Sequence, residues 1–327
     1  VFGRAVEGHQ RHVVKLAVAD PPGSRQAEDD GSGRRAMTKR ALSVRPYEDG
    51  DQEAVLGLIA DDRPVGGPEA TAAMLADAVA GRPPAATEAA ALRDVRTQVA
   101  EDADGAVLGA VCHGTRPGDE DGHLAWLHVR EELDVAEAIL EAVLPRFARH
   151  TVHAFALPTA LSPWAPGLAV RSRPATRTAL ERAGFSPDTR WRYLHRPLPP
   201  GAEVGEVRTY PIAEVTRRER PDGWDLDLRE PDGALIGHAI VSKPVDGVSA
   251  LRWIAVDPER RGRGLGRALA EQAVRLLAHT GARELVTLLE EEQPSDSRAY
   301  NPVAADHLLH ALGFAEIGPL WSFTRRP

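Results

Sequence analysis

Three short patterns occur twice in the chain, in the same order and about 128 residues apart. Asp104-Gly105-Ala106-Val107-Leu108-Gly109 returns as Asp232-Gly233-Ala234-Leu235-Ile236-Gly237. Leu124-Ala125-Trp126-Leu127-His128-Val129 returns as Leu251-Arg252-Trp253-Ile254-Ala255-Val256. Ala183-Gly184-Phe185, followed by Trp191-Arg192-Tyr193 and Arg196-Pro197, returns as Leu312-Gly313-Phe314, Trp321-Ser322-Phe323 and Arg326-Pro327. Chance matches would scatter in spacing, whereas an offset kept through the whole series means two copies of one fold. With 327 residues, each copy has enough chain to close its own core. The copies are expected at 37–197 and 205–327. Residues 198–204 are the linker, and their prolines (Pro197-Leu198-Pro199-Pro200-Gly201) make it a semi-rigid spacer. Residues 1–36 show no sustained period and end in a Gly/Ser/Asp/Arg-rich stretch. They are expected to be a disordered tail, or a gene-model extension ahead of a true start at Met37.

Each copy mixes two periodicities. Leu42–Pro46 alternates as a strand, and Asp49-Gly50-Asp51 opens a helix through Ala54, Val55, Leu58 and Ile59. Further helix is expected over 70–79 and 87–92, broken at Arg82-Pro83-Pro84. Val95–Ala100 and Ala106–His113 form a hairpin around Asp104-Gly105. In the second copy a strand is expected within 204–215, then three antiparallel strands at Trp224–Arg229, Ala234–Ser242 and Ala250–Val256. A helix from Gly264 follows, with Leu265, Leu269, Ala273, Leu276 and Leu277 on one face. The series ends with a strand at Glu284–Leu289, a helix over 302–312, and a strand pair, Phe314–Ile317 with Leu320–Thr324. The second copy is short at its front, with few residues left before Trp224.

Chemistry concentrates at Val256-Asp257-Pro258-Glu259-Arg260-Arg261-Gly262-Arg263-Gly264-Leu265-Gly266, where a strand turns into a helix. Glycine lets the backbone approach a ligand, and the first turn of a helix offers unpaired amides at the positive end of its dipole. A pyrophosphate suits such a place. The plain alternative is a basic, glycine-rich surface turn. Other phosphate loops fail on spacing: the third glycine of a dinucleotide fingerprint would fall on Arg267 or Leu269, and no Gly-Lys-Ser/Thr is present. The first copy carries Arg130-Glu131-Glu132-Leu133-Asp134-Val135 instead, without glycine and with carboxylates where the second copy has arginines.

The loop resembles the acyl-CoA loop of the GCN5-related N-acetyltransferases (GNATs). Their Arg/Gln-x-x-Gly-x-Gly/Ala pattern is filled by Arg261, Gly264 and Gly266, behind a Val-x-Pro turn at Val256 and Pro258. The resemblance implies an α+β fold of two tandem GNAT-like domains, each a mixed, mostly antiparallel twisted sheet flanked by helices. It implies acetyl-CoA as co-substrate, held by Ile254, Ala255 and Val256 along the strand, by Arg261, Gly262, Arg263, Gly264, Leu265, Gly266 and Arg267 in the loop, and by Asn301. In that family pantetheine lies in a notch between splayed strands, here Trp253–Val256 and Val286–Leu289. The amide near Val256 would then serve as oxyanion donor, a contribution that can reach about 3 kcal/mol. The family's first two helices wall the acceptor side. The short second copy must find that wall elsewhere, and the first copy is the candidate. The first copy itself is expected to be a degenerate scaffold.

The family's usual tyrosine, which protonates the departing thiolate, falls on Leu309 when counted back from Gly313-Phe314, and no glutamate lies in Ala250–Val256. The candidates for proton transfer are therefore Tyr300, His307 and Glu290, each with a plainer role open to it: a loop anchor, a surface helix residue, a solvated acidic run. Trp126 and Trp253 recur at equivalent positions, which favours packing over substrate stacking. His128 and His238 lack a second ligand at metal spacing, so no metal site is expected. A net charge of -8 argues against nucleic acid as partner. The single Cys112 and the lack of a long apolar span or a leader pattern fit a cytoplasmic protein, away from membranes. The expected activity is transfer of an acetyl group from acetyl-CoA to a primary amine of a small molecule or protein, by a monomer or homodimer. The alternative is a CoA-binding regulatory or interaction module without turnover.

Overall fold

The computed structural model describes residues 40–84, 91–118, 120–198, 211–291 and 302–327, with only the backbone of Pro302. The helix expected over 87–92, the linker at 198–204 and the tail at 1–36 lie wholly or largely outside these residues. The first copy begins with β1 (Leu42–Pro46), α1 (Gln52–Asp61) and α2 (Ala72–Val79). Asp51 explains the start of α1: it accepts from the Glu48 amide at 2.9 Å and pairs with Arg45 at 2.7 Å. There follow β2 (Arg93–Asp102), β3 (Val107–Thr115), β4 (Gly122–His128), α3 (Leu133–Val143), β5 (Val152–Ala154), β6 (Leu168–Ala169), α4 (Pro174–Arg182) and β7 (Ser186–Pro197). The second copy adds β8 (Glu214–Arg218), β9 (Gly223–Arg229), β10 (Leu235–Ser242), β11 (Val248–Val256), α5 (Leu265–His279), β12 (Glu284–Glu290), α6 (Pro302–Ala311) and β13 (Ala315–Arg325).

The repeat is exact in its pairing register. Val99 faces Ala110 and Cys112 faces Trp126 in the first copy; Asp227 faces His238 and Ile240 faces Trp253 in the second. Both copies slip register at the same place, between Cys112 and His113 and between Ile240 and Val241. In both, the next pairing is parallel and brief: β4 with β5 over Gly122–Leu124, and β11 with β12 over Val248–Ala250.

All the strands join one sheet, ordered β1-β2-β3-β4-β5-β13-β7-β12-β11-β10-β9-β8, with β6 on β13. The two last strands are exchanged. β13, from the second copy, lies against β5 of the first, while β7, from the first, lies against β12 of the second. The expected strand pair near the C-terminus is therefore one strand, β13, which shifts register against β7 around Gly318 and again between Trp321 and Phe323. On one face, α3 and α4 bury Val111, Leu127 and Phe323, and α5 and α6 bury Leu226, Leu251 and Leu285. On the other face, α1 and α2 bury Val99, Ala110, Cys112 and Trp126. Near the middle of that face, Tyr193, Val286 and Leu320 pack with Trp164 and Ala165 from the segment between β5 and β6. Among the described residues no helix is long and apolar enough to cross a membrane.

Candidate functional site

β11 ends at Val256, and the turn that follows is shaped by short-range bonds. The Asp257 carboxylate accepts from the Glu259 amide at 2.8 Å, and Arg261 Nε reaches back to the Val256 carbonyl at 3.2 Å. Gly262 and Gly264 have φ of 76° and 77°, the left-handed region in which a Cβ is strained. Nothing lies within 4 Å of where a Cβ would stand on either. Their lack of a side chain is thus not needed for internal packing: it shapes the turn and leaves open space above it. Gly264 is also the N-cap of α5 and brings no side-chain acceptor to the first-turn amides.

These residues line a cavity of about 240 Å³, formed by Ile254, Ala255, Val256, Arg260, Arg261, Gly262, Gly264–Arg267 and, from α6, Ala304, Ala305 and Leu308. Of the residues expected to hold the cofactor, only Arg263, which is exposed in the loop, is not in this lining, while Asn301 lies outside the described residues. Arg260 and the α6 residues were missed by the sequence motif. Arg260 is held by Glu230 at 3.0 Å. The sign of the α6 contribution was the i, i+1, i+4 spacing of small and apolar residues at 304, 305 and 308.

Beyond Ala250 and Val286 the strands β11 and β12 no longer pair, so a notch opens. Thr287 Oγ1 donates to the Leu251 carbonyl at 2.8 Å and closes its vertex. A second cavity, of about 90 Å³, sits there between Ala250–Arg252 and Val286–Leu288, walled by Tyr193 of β7 and by Trp164 and Ala165 of the first copy. Residues of the first copy thus border the notch of the second.

Tyr300 lies outside the described residues. His307 is exposed on α6 and does not line the cavity. Glu290, half-buried at the end of β12, shares by strand alternation the face of Val286 and Leu288 but does not line this cavity. Leu309, where the tyrosine position falls, is 1% exposed in the core under α6. Trp253 departs from the packing role expected of it. Trp126 is buried, with its Nε1 donating to the Ala78 carbonyl of α2, whereas Trp253 is 36% exposed. Among the described residues no group of three or more His, Cys, Asp or Glu converges as a metal site.

The equivalent place in the first copy is filled from within. Its loop is reduced to residues 129–132, with Arg130 and Glu131 at φ of 46° and 58°. The Glu131 carboxylate accepts from the first-turn amides of α4, Ala175 at 2.6 Å and Thr176 at 3.3 Å, and from the Thr176 hydroxyl at 2.6 Å. Arg173, 5% exposed, donates to the Leu127 carbonyl at 2.8 Å and pairs with Glu131 at 3.3 Å and Asp62 at 3.1 Å. His128 donates to Asp62 at 2.9 Å. Burial lowers the affinity of both His128 and Arg173 for their protons. For Asp62, burial works upward, but the His128 bond and the Arg173 charge outweigh it and hold the carboxyl below its ordinary range. A carboxylate thus occupies the space between this loop and the N-terminus of α4, the counterpart of α6, and a guanidinium pairs with the β4 carbonyl that borders the notch.

The exchanged two-copy sheet, with helices on its faces and a splayed strand pair, is an α+β architecture of two tandem GNAT-like domains. Residues 190–314 match the model of the acetyltransferase (GNAT) family. None of the curated proteins matches it in sequence. Among solved structures, a tandem GNAT protein from the clavulanic acid biosynthesis pathway is similar, with TM-score 0.55 and 16% identity, over 87% of this chain and 98% of that one. A GCN5-related N-acetyltransferase from Sphaerobacter thermophilus has TM-score 0.52 and 17% identity, over 88% and 96%. A GCN5-related glucosamine N-acetyltransferase region of a fungal multi-domain GH3 β-N-acetylglucosaminidase has TM-score 0.56 and 14% identity. This chain is covered over 88% by that match but spans 38% of that protein's length. At these identities the likeness is one of fold.

Proposed function

We propose that the second copy, residues 205–327, binds acetyl-CoA and transfers the acetyl group to a primary amine by direct attack on the thioester. Residues 37–197 serve as the scaffold that walls its acceptor side. The observation that carries this is the cavity at Gly262 and Gly264, whose backbone is left-handed and whose missing side chains leave space beside the N-terminus of α5. A pyrophosphate would meet the α5 amides with Arg260, Arg261 and Arg267 around it, and pantetheine would run along Ile254–Val256 toward the vertex. Acetyl-CoA supplies the activated thioester; the chain's own part is to hold it extended, keep water from the vertex, and accept and return protons. In the first copy Glu131 and Arg173 stand where the ligand would be, so we assign it no CoA site.

The burial of Leu309 favours a second possibility, a CoA-binding module without turnover, because a proton donor expected there is replaced by a core leucine. One experiment separates the two: incubate the full chain with acetyl-CoA and a panel of primary amines, and follow free thiol. The only cysteine, Cys112, is fully buried, and burial pushes its thiol up to about 11, so new thiol reports CoA. Amine-dependent release supports transfer; tight binding without release supports the module.

A further inference from the structure

The two copies can be compared face for face, because their registers coincide. In the first copy the surface under α1 and α2 presents Thr97, Val99, Ala110 and Trp126, all buried. The paired positions in the second copy are Asp225, Asp227, His238 and Trp253. Mere loss of the two helices would ask only for solvent-compatible side chains. What stands there is a hydrogen-bonded His238–Asp227 pair beside β11, the strand that borders the notch.

His238 faces Ala255 across β10 and β11, and its Nδ1 lies 2.7 Å from Asp227 Oδ1. A carboxylate only accepts, so Nδ1 carries the hydrogen and, in the neutral ring, Nε2 carries the lone pair. Asp227 is fixed in turn by Arg229 at 2.6 Å. Nε2 lies 3.6 Å from Asp225 Oδ1, beyond hydrogen-bond reach, and that oxygen is buried with no hydrogen-bond partner of its own. The other Asp225 oxygen takes Arg218 Nε at 3.1 Å. Nε2 thus makes no hydrogen bond to Asp225, and the His238 side chain is 28% exposed, so a proton donor can reach the ring.

We propose that His238 is the proton acceptor for the attacking amine, oriented by Asp227, with Trp253 as the flat surface over which the amine approaches. The proposal rests on the acetyl-transfer reading of the site above. In the step, an ammonium R-NH3+ gives one proton to His238 Nε2, and the resulting imidazolium is paired with Asp227. The freed nitrogen lone pair forms the N–C bond to the thioester carbon. The C–S bond then breaks, and the second amine proton leaves with the CoA thiolate, giving R-NH-acetyl and CoA-SH. The competing acceptor is Glu290, across the notch on β12.

The test uses the full chain with acetyl-CoA, and as probes the amines of the panel above together with aromatic amines, which are already neutral at pH 7. Under the proposal, His238→Gln keeps the melting temperature and the calorimetric affinity for acetyl-CoA. It loses about 100-fold or more in kcat toward aliphatic amines, loses little toward aromatic amines, and loses the acidic limb of the kcat/KM profile. Asp227→Asn gives a partial loss in the same pattern, since the imidazole tautomer is no longer fixed. Arg218, Arg229, Asp225 and Asp227 are the other charged groups facing this ring, so Arg218→Gln is run alongside and should shift that limb without removing it. Wild-type kcat in His238→Gln, equal losses toward both amine classes, or a larger loss in Glu290→Gln overturns the proposal while leaving acetyl transfer in place. If wild type releases CoA with no amine at all, the reading beneath it fails, and the proposal with it.

Discussion

Replacing Glu131 with alanine should cost far more than a surface carboxylate would. The side chain receives two first-turn amides of α4, the Thr176 hydroxyl and the buried Arg173 guanidinium. Loss of a helix-end acceptor costs about 1 kcal/mol. Breaking a buried ion pair costs about 3–5 kcal/mol when it leaves the partner uncompensated. Here Arg173 keeps Asp62 and the Leu127 carbonyl, so about 2 kcal/mol is the better figure for that part. The sum, about 3 kcal/mol, corresponds to a fall in melting temperature of about 6 °C for a chain of this size. Glu131→Gln, which keeps an acceptor but not the charge, should fall about half as far. Thermal unfolding by circular dichroism and urea titration at one protein concentration both read this. A shift below about 1 °C for Glu131→Ala would show that the carboxylate does not tie the β4–α3 loop to the N-terminus of α4 in the way these bonds imply.

Gly264→Glu should weaken acetyl-CoA binding by more than about 100-fold in calorimetry while the domain stays folded, because a like charge at about 4 Å from a phosphate is worth a few kcal/mol at an effective dielectric near 20. Leu309→Tyr should destabilise by about 1–3 kcal/mol through overpacking, without raising turnover, because position 309 faces the core and not the notch; a faster variant would contradict this. His113, 1% exposed, is lowered from 6.5 to about 4, first by burial and then by the Arg146 and Arg96 charges. The unfolded chain takes up that proton before the folded one does. The stability associated with the neutral ring is therefore whole above pH 6.5 and declines by about 3 kcal/mol on the way to pH 4. His113→Asn should flatten that part of a stability-against-pH curve.

Much of the architecture was legible because its evidence is local. The twofold repeat fixed the number of copies, and the glycine spacing at 262, 264 and 266 pointed to the strand-to-helix turn at which the structure has a cavity. The exchange of β7 and β13 was not legible, since both strands carry the same Trp-x-aromatic pattern and either could pair with β5 or β12. Nor was the closure of the first copy's site, because a lone Arg173 before Pro174 says nothing of the Glu131 and Asp62 it meets. Motif counting put the resembled family's tyrosine position on Leu309, but counting cannot tell which face of α6 a position takes. Trp253 was misjudged for a related reason: equivalence to Trp126 predicts burial only if the covering helices are repeated as well, and the short front of the second copy gave warning that they are not.

The account stands most directly on how many acyl-CoA sites the chain contains. Calorimetric titration of the full chain with acetyl-CoA should give a stoichiometry near one, and that binding should vanish in Gly264→Glu but persist in Glu131→Ala. A stoichiometry near two, or a single site that survives Gly264→Glu at wild-type affinity, would contradict the assignment of the site to the second copy.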